Sequence, residues 1–260
     1  MRYFLTVSYD GTNYCGWQVQ PNGVTVQEVL NRAVFLAFGE SAAVKASGRT
    51  DAGVHAREQL CQLDLKKEIE EKKLADALNA RLPDDVCVLA SVKAPEGLDV
   101  QDAVKAKTYR YHMYFSRRRK PLLERYAVWV KGEPNVGKMR EAAEMLTGEH
   151  DFKAYCASGS QVKTTVRNVF SIKITSQPSP PDAETVCVEV RGNGFLYNMV
   201  RTIAGTLLWY SWGKLDKSDL EATLKGDRGK VGKTMPAKGL ILYGVETDFE
   251  ISDGDGQGNI

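Results

Sequence analysis

The order in which hydrophobic periods follow one another constrains this chain most. Residues 3–9 alternate apolar and polar side chains and are rich in strand formers. Residues 26–38 then carry Val26, Val29, Leu30, Ala33, Val34, Leu36 and Ala37 at helical spacing behind Thr25. A period of two turns successive side chains to opposite faces of a strand, and a period of 3.6 gathers them on one face of a helix. Thr25 is a residue type that caps a helix by accepting a first-turn amide. Residues 58–65 alternate again, residues 70–80 read as a helix stopped by Leu82-Pro83, and residues 86–92 read as another strand. This is the β-α-β-β-α-β, or split βαβ, plan. A linker is expected over 93–102, with Pro95-Glu96-Gly97 inside it. A second round follows. Strands are expected at 105–115, 164–175 and 185–191, helices at 136–146, 198–211 and 218–224, and a closing strand at 240–249. The run Gln177-Pro178-Ser179-Pro180-Pro181-Asp182 reads as a surface loop.

The expected fold is therefore α+β, with two similar split-βαβ halves, a mainly antiparallel sheet and a central active-site cleft. A cleft between halves is a natural place for a ligand. The expected domains are an N-terminal one at 1–97 and a C-terminal one at 98–250. The Gly/Asp-rich stretch 251–260 is expected to fray. At 260 residues with 43% hydrophobic content the chain can bury a core. No run approaches the roughly 18 apolar residues of a membrane span, and the N-terminus reads as a first strand, not a signal peptide. Five scattered cysteines without a Cys-x-x-Cys, and three scattered histidines, argue for reduced thiols, a cytoplasmic protein and no metal site.

A net charge of +2 hides a polarised distribution. Between Lys105 and Lys131 lie nine Lys or Arg against the single acid Glu124, whereas Glu246, Asp248, Glu250, Asp253 and Asp255 follow with no base among them. A basic stretch can neutralise phosphates and release their counterions. Arg117, Arg118, Arg119 and Lys120 precede Pro121, so they belong to an exposed turn beyond the 105–115 strand and are the expected RNA-binding run. The aromatic residues nearby, Tyr109 and Tyr111 among them, alternate as sheet-face residues do.

One short stretch carries chemistry. Gly48-Arg49-Thr50-Asp51-Ala52-Gly53-Val54-His55-Ala56 places a carboxylate in a turn bracketed by glycines, two residues after an arginine. Glycines allow sharp bends and close approach to a ligand. A guanidinium nearby favours the ionised carboxylate, which can serve as nucleophile, base or anchor. Alone, the same residues could make a tight turn with a local Arg49–Asp51 pair.

The stretch resembles the signature of the TruA family of tRNA pseudouridine synthases. Further segments resemble the family's in order: Tyr9-Asp10-Gly11-Thr12-Asn13-Tyr14-Cys15-Gly16-Trp17-Gln18, Ala77-Leu78-Asn79-Ala80-Arg81-Leu82-Pro83-Asp84-Asp85-Val86, Lys107-Thr108-Tyr109-Arg110-Tyr111, Gly148-Glu149-His150-Asp151-Phe152, Gly194-Phe195-Leu196-Tyr197-Asn198-Met199-Val200-Arg201 and Gly239-Leu240. The resemblance runs over about residues 1–249. It implies two α/β halves with a continuous sheet and an active cleft between them. The implied reaction breaks the uridine N1–C1′ bond, rotates the uracil and forms a C5–C1′ bond in the anticodon stem-loop of tRNA, at positions 38–40. The family implies a homodimer across one tRNA. The isomerisation has no redox step and no group donor, so no cofactor is expected.

The resemblance places the catalytic carboxylate at Asp51, open between attack on C1′, attack on C6 and removal of a sugar proton. Arg49 would help replace the flipped base in the RNA stack. Tyr109 would stack on the uracil and face its C5 proton, although spacing alone does not separate it from Tyr111. Arg201 stands on an otherwise apolar helix, where a charge must find a partner. The resemblance implies that this partner is Asp51, which Arg201 would keep ionised. Leu240 would pack under the uracil. His55 reads as a structural histidine. One departure stands out: the family usually has a Phe and then an Arg shortly before the Lys-x-Tyr-x-Tyr strand, where this chain has Leu98-Asp99-Val100-Gln101-Asp102. Two rival readings are a non-catalytic RNA-binding protein and an Asp-nucleophile hydrolase. The intact Asp51, Tyr109 and Arg201 motifs speak against the first. The second wants another nearby Asp and a metal.

Overall fold

The computed structural model describes residues 1–157, 159, 162–179 and 183–249. Its contacts divide the chain into two units: residues 1–105 with the stretch from 242 onward, and residues 106–241. The sequence placed one boundary, after residue 97. The expected fraying of 251–260 lies outside the described residues. Among the described residues no helix is long and apolar enough to cross a membrane.

The first unit contains β1 (Arg2–Tyr9), α1 (Val26–Phe38), β2 (Lys45–Ala46), β3 (His55–Asp64), α2 (Glu71–Asn79) and β4 (Val86–Lys93). Helix α1 begins where the cap predicts, with Thr25 Oγ1 accepting from the Glu28 amide at 3.3 Å. It buries Val26, Leu30, Ala33 and Val34. The strands run β4-β1-β3, antiparallel throughout, with β2 paired antiparallel to β3. That is the split βαβ plan, and β2 is the strand that periodicity did not reveal. The register of β1 against β3 shifts between Val7 and Tyr9. Against β4 it shifts between Thr6 and Val7. Irregularities of this kind re-aim the side chains beside them, and Tyr9 is the residue that follows.

The stretch 98–103 is not a free linker. Val100 and Ala103 are buried with Phe4 and Leu60, and Leu98, Val245 and Phe249 pack against this cluster. Phe4 and Phe249 stack with ring centroids 5.5 Å apart. Asp99 pairs with Lys45 at 2.6 Å, and the Val100 amide donates to Gln62 Oε1 at 3.1 Å. The apolar side chains Leu98, Val100 and Ala103, which follow Pro95-Glu96-Gly97, thus cover one face of the strands.

The second unit contains β5 (Ala106–Ser116), β6 (Val128–Val130), α3 (Val136–Met145), β7 (Gly148–Asp151), β8 (Val166–Ser179), β9 (Ala183–Gly192), α4 (Met199–Ser211) and α5 (Lys217–Leu224). Its antiparallel order is β5-β9-β8-β7, and β6 pairs parallel with β5. Tyr111, Met113, Val186, Val188, Ile203 and Leu207 are fully buried. Strand β8 runs through Gln177, Pro178 and Ser179, which pair with Thr185, Glu184 and Ala183, so the first half of the expected surface loop is strand; residues 180–182 lie outside the described residues. The last strand, β10 (Leu240–Glu246), begins in the second unit and ends in the first, beside β3.

Candidate active site

The Asp51 turn is gripped by a segment about 40 residues earlier. The Trp17 amide donates to the Thr50 carbonyl at 3.1 Å, and the Gly53 amide donates to the Tyr14 carbonyl at 3.3 Å. Inside the turn, the Val54 amide donates to the Asp51 carbonyl at 3.1 Å. Tyr9 Oη and Thr50 Oγ1 lie 2.7 Å apart and are buried. Gly16 has φ +87°, and a Cβ there would sit 2.8 Å from the Thr50 carbonyl oxygen and 3.1 Å from the Ala52 nitrogen. Only glycine accepts both the left-handed backbone and this approach. His55 is buried, and its Nδ1 lies 3.1 Å from the Gly11 amide and 3.0 Å from Asp10 Oδ1. The Tyr9-to-Trp17 motif is therefore the clamp of the Asp51 turn, and His55 is one of its fastenings.

Asp51 is half-buried and Arg49 is exposed. A solvent-facing guanidinium remains available for stacking or phosphate contact.

In the second unit, β5 turns Tyr109 and Tyr111 to one face, and the structure distinguishes them. Tyr111 is fully buried and donates its hydroxyl to the Pro236 carbonyl at 2.7 Å. Burial pushes that phenol far above its ordinary pKa. The Tyr109 ring meets Phe195 edge-on, with centroids 5.2 Å apart. Lys107, two residues before Tyr109, is pushed down to about 8 by burial.

Arg201 projects from the first turn of α4. Its Nε donates to the Met235 carbonyl at 2.7 Å and its Nη1 to Asn198 Oδ1 at 2.6 Å. The Met235 amide returns to the Arg201 carbonyl at 3.3 Å, and the Thr202 and Thr234 hydroxyls meet at 2.9 Å. The helix approaches this strap closely at Gly205, where a Cβ would fall 1.9 Å from the Lys233 carbonyl oxygen. Leu240 is buried at the start of β10. Tyr109, Arg201 and Leu240 thus belong to one unit, and Arg49 and Asp51 to the other.

Arg117, Arg118 and Arg119 are exposed and Lys120 is half-buried, just past the end of β5. The Arg119 guanidinium lies over Trp129, 5.3 Å from the ring centroid. The turn is pinned from within: Tyr114 donates its hydroxyl to Glu124, which also pairs with Lys238, and the Lys120 amide donates to Tyr114 Oη at 3.0 Å.

A sequence model of the family described as tRNA pseudouridine synthase matches residues 5–107 and 142–248. A tRNA pseudouridine synthase A from Ruminiclostridium cellulolyticum is 42% identical over 242 residues, covering 93% of this chain and 97% of that protein. Its counterparts from Geotalea uraniireducens and Geobacter sulfurreducens are each 41% identical, with the same coverage. The chain belongs to the TruA family of tRNA pseudouridine synthases. The match includes both the Asp51 turn and the Arg201 helix. Sequence reasoning missed the partners that hold these two residues. Tyr9 lies in a motif that was recognised, but its contact with Thr50 spans 41 positions. The strap 233–236 carried no signal of its own.

Proposed function

We propose that this protein isomerises uridine to pseudouridine in tRNA, at positions 38–40 of the anticodon stem-loop. The observation that carries this reading is the intact Asp51 turn, clamped by the Tyr9-to-Trp17 segment, in a chain of the TruA family. Asp51 supplies the carboxylate that acts on the ribose or base while the N1–C1′ bond breaks. Tyr109 stacks on the uracil and faces the C5 proton that must leave once C5 has bonded to C1′. Arg201 keeps Asp51 ionised, Leu240 supports the base, and Arg49 takes the space the base leaves in the RNA stack. Arg117, Arg118, Arg119 and Lys120 hold phosphates and position the RNA without reading its sequence. The proton lost from C5 is balanced by one gained at N1, so substrate and product are isomers and no cofactor is consumed. The working form is a cytoplasmic homodimer on tRNA.

The test is to map pseudouridine in unmodified tRNA incubated with the purified protein after dialysis against a chelator. Pseudouridine at positions 38–40 is expected. Binding of tRNA with no pseudouridine at any position would overturn the enzymatic reading. Modification confined to another region would overturn the assigned site.

A further inference from the structure

Asn198 stands immediately before α4 and has φ 62° and ψ 4°. Among the described residues it is the one non-glycine with a left-handed backbone. Asparagine tolerates this region better than most residues, but glycine adopts it without strain. An Asn in this position ordinarily has an extended backbone and gives its carboxamide oxygen to an amide of the first helical turn. Asn198 does neither, since its side chain makes no capping hydrogen bond. Its Oδ1 accepts from Arg201 Nη1 at 2.6 Å instead. Its main-chain carbonyl accepts from the Thr202 amide at 3.0 Å, so the helix still starts there.

The second grip on Arg201 is equally indirect. Nε donates to the Met235 carbonyl, and the next carbonyl of that strap, Pro236, is tied by the Tyr111 hydroxyl. A guanidinium is planar, so hydrogen bonds at Nε and at one Nη fix both its plane and its rotation within that plane. The strap sets one contact. The left-handed turn of Asn198 sets the other, at the expense of the local cap.

We propose that Asn198 is a positioning residue for the reaction. It gives up helix capping and an easy backbone conformation to aim the Arg201 guanidinium. An observed backbone outlier that serves a functional side chain is the pattern expected where strain is maintained by selection for activity. The inference rests on the assignment of Arg201 to the reaction and adds a residue that the motif alone does not assign.

Asn198→Gly separates aiming from architecture, because glycine keeps the left-handed backbone and removes the carboxamide that receives Arg201. The experiment measures single-turnover pseudouridine formation at saturating tRNA, tRNA affinity and the thermal midpoint. It uses the wild type, Asn198→Gly, Arg201→Lys and the double variant, with incubations long enough to quantify slow reactions. Misplacement of a reacting group by about an ångström can cost up to ~100-fold in rate. Asn198→Gly is expected to slow the reaction roughly 10- to 100-fold with affinity and midpoint nearly unchanged. In the Arg201→Lys background the same change should have little effect, since an ammonium cannot use the fork. A full rate in Asn198→Gly, or an equal slowing in both backgrounds, overturns the proposal. Arg201→Lys at the wild-type rate would instead overturn the role given to Arg201, a different failure with a different signature.

Discussion

Asp51 and Arg201 are held by opposite means. Asp51 sits in a turn with no helix or strand of its own, and its position is set by main-chain bonds to residues 14 and 17, a glycine contact and one pair of hydroxyls. Arg201 stands on a 13-residue helix whose register is already fixed. Only its guanidinium has to be aimed, and a carbonyl and a carboxamide do that. A turn residue therefore depends on backbone fit, whereas a helix residue depends on side-chain hydrogen bonds. Mutations of the clamp should damage stability and rate together. Mutations around Arg201 can damage rate alone.

The largest effect expected is at Asp51 itself. Asp51→Asn removes the charge and keeps the shape, so single-turnover pseudouridine formation should fall by ~1000-fold or more while tRNA affinity changes little. A near-normal rate would remove Asp51 from the chemistry and leave the clamp without its purpose.

Gly16→Ala attacks the clamp directly. The left-handed backbone and the 2.8 Å approach to the Thr50 carbonyl oxygen leave no room for a methyl group. A loss of about 2–4 kcal/mol in urea unfolding is expected, with a parallel loss of rate in the folded fraction. An unchanged midpoint with full activity would show that the turn does not depend on this contact.

Lys107 sharpens the comparison from the second unit. Its folded pKa of about 8 lies below the ordinary lysine value of 10.5 because burial disfavours the ammonium. The folded state therefore binds fewer protons than the unfolded chain between these values. Stability should rise with pH from about 8 to 10.5 and be lost as pH falls through 8. The upper limit of the effect is about 3 kcal/mol. Lys107→Met should flatten that rise in unfolding midpoints measured at pH 8 and pH 10. An identical pH slope in the variant would contradict the burial of the charge.

Tyr9→Phe removes one half of the buried hydroxyl pair and leaves Thr50 Oγ1 to find another partner. Roughly 1–2 kcal/mol of stability should go with it, along with a modest loss of rate. If Tyr9→Phe costs stability but leaves the saturated rate untouched, the clamp is architectural only. The smallest effect concerns the basic turn. Arg118→Ala should weaken tRNA binding and reduce the magnitude of the log K versus log salt slope by about one unit or less, with the saturated rate preserved. An unchanged slope would take Arg118 off the path of the RNA.

The fold was legible where periods are long. Helix α1 falls on its expected residues because a cap, an apolar face and a terminating glycine agree. Strands β2, β6 and β7 escaped because two to four residues are too few to show alternation. The stretch 93–102 read as a linker because Pro95, Gly97, Asp99 and Asp102 outweighed Leu98 and Val100, whose burial depends on Phe4 at the far end of the sequence. At the site, motifs nominated Asp51 and Arg201, but the residues that hold them lie up to 41 positions away in sequence. No local pattern encodes contacts of that length. Tyr109 and Tyr111 share a spacing and differ only in what their rings meet.

The first unit receives its last strand from the far end of the chain, since β10 and Phe249 complete what residues 1–105 began. During synthesis the ribosome must deliver the whole of 106–241 before that strand exists. At ~5–20 residues per second the delay is on the order of ten seconds. Throughout it, the nascent first unit carries an edge of β3 covered only by the two residues of β2, and a partly bare patch around Phe4 and Leu60. Such an edge is an invitation to mispairing. The first half to be translated is therefore the last to be finished.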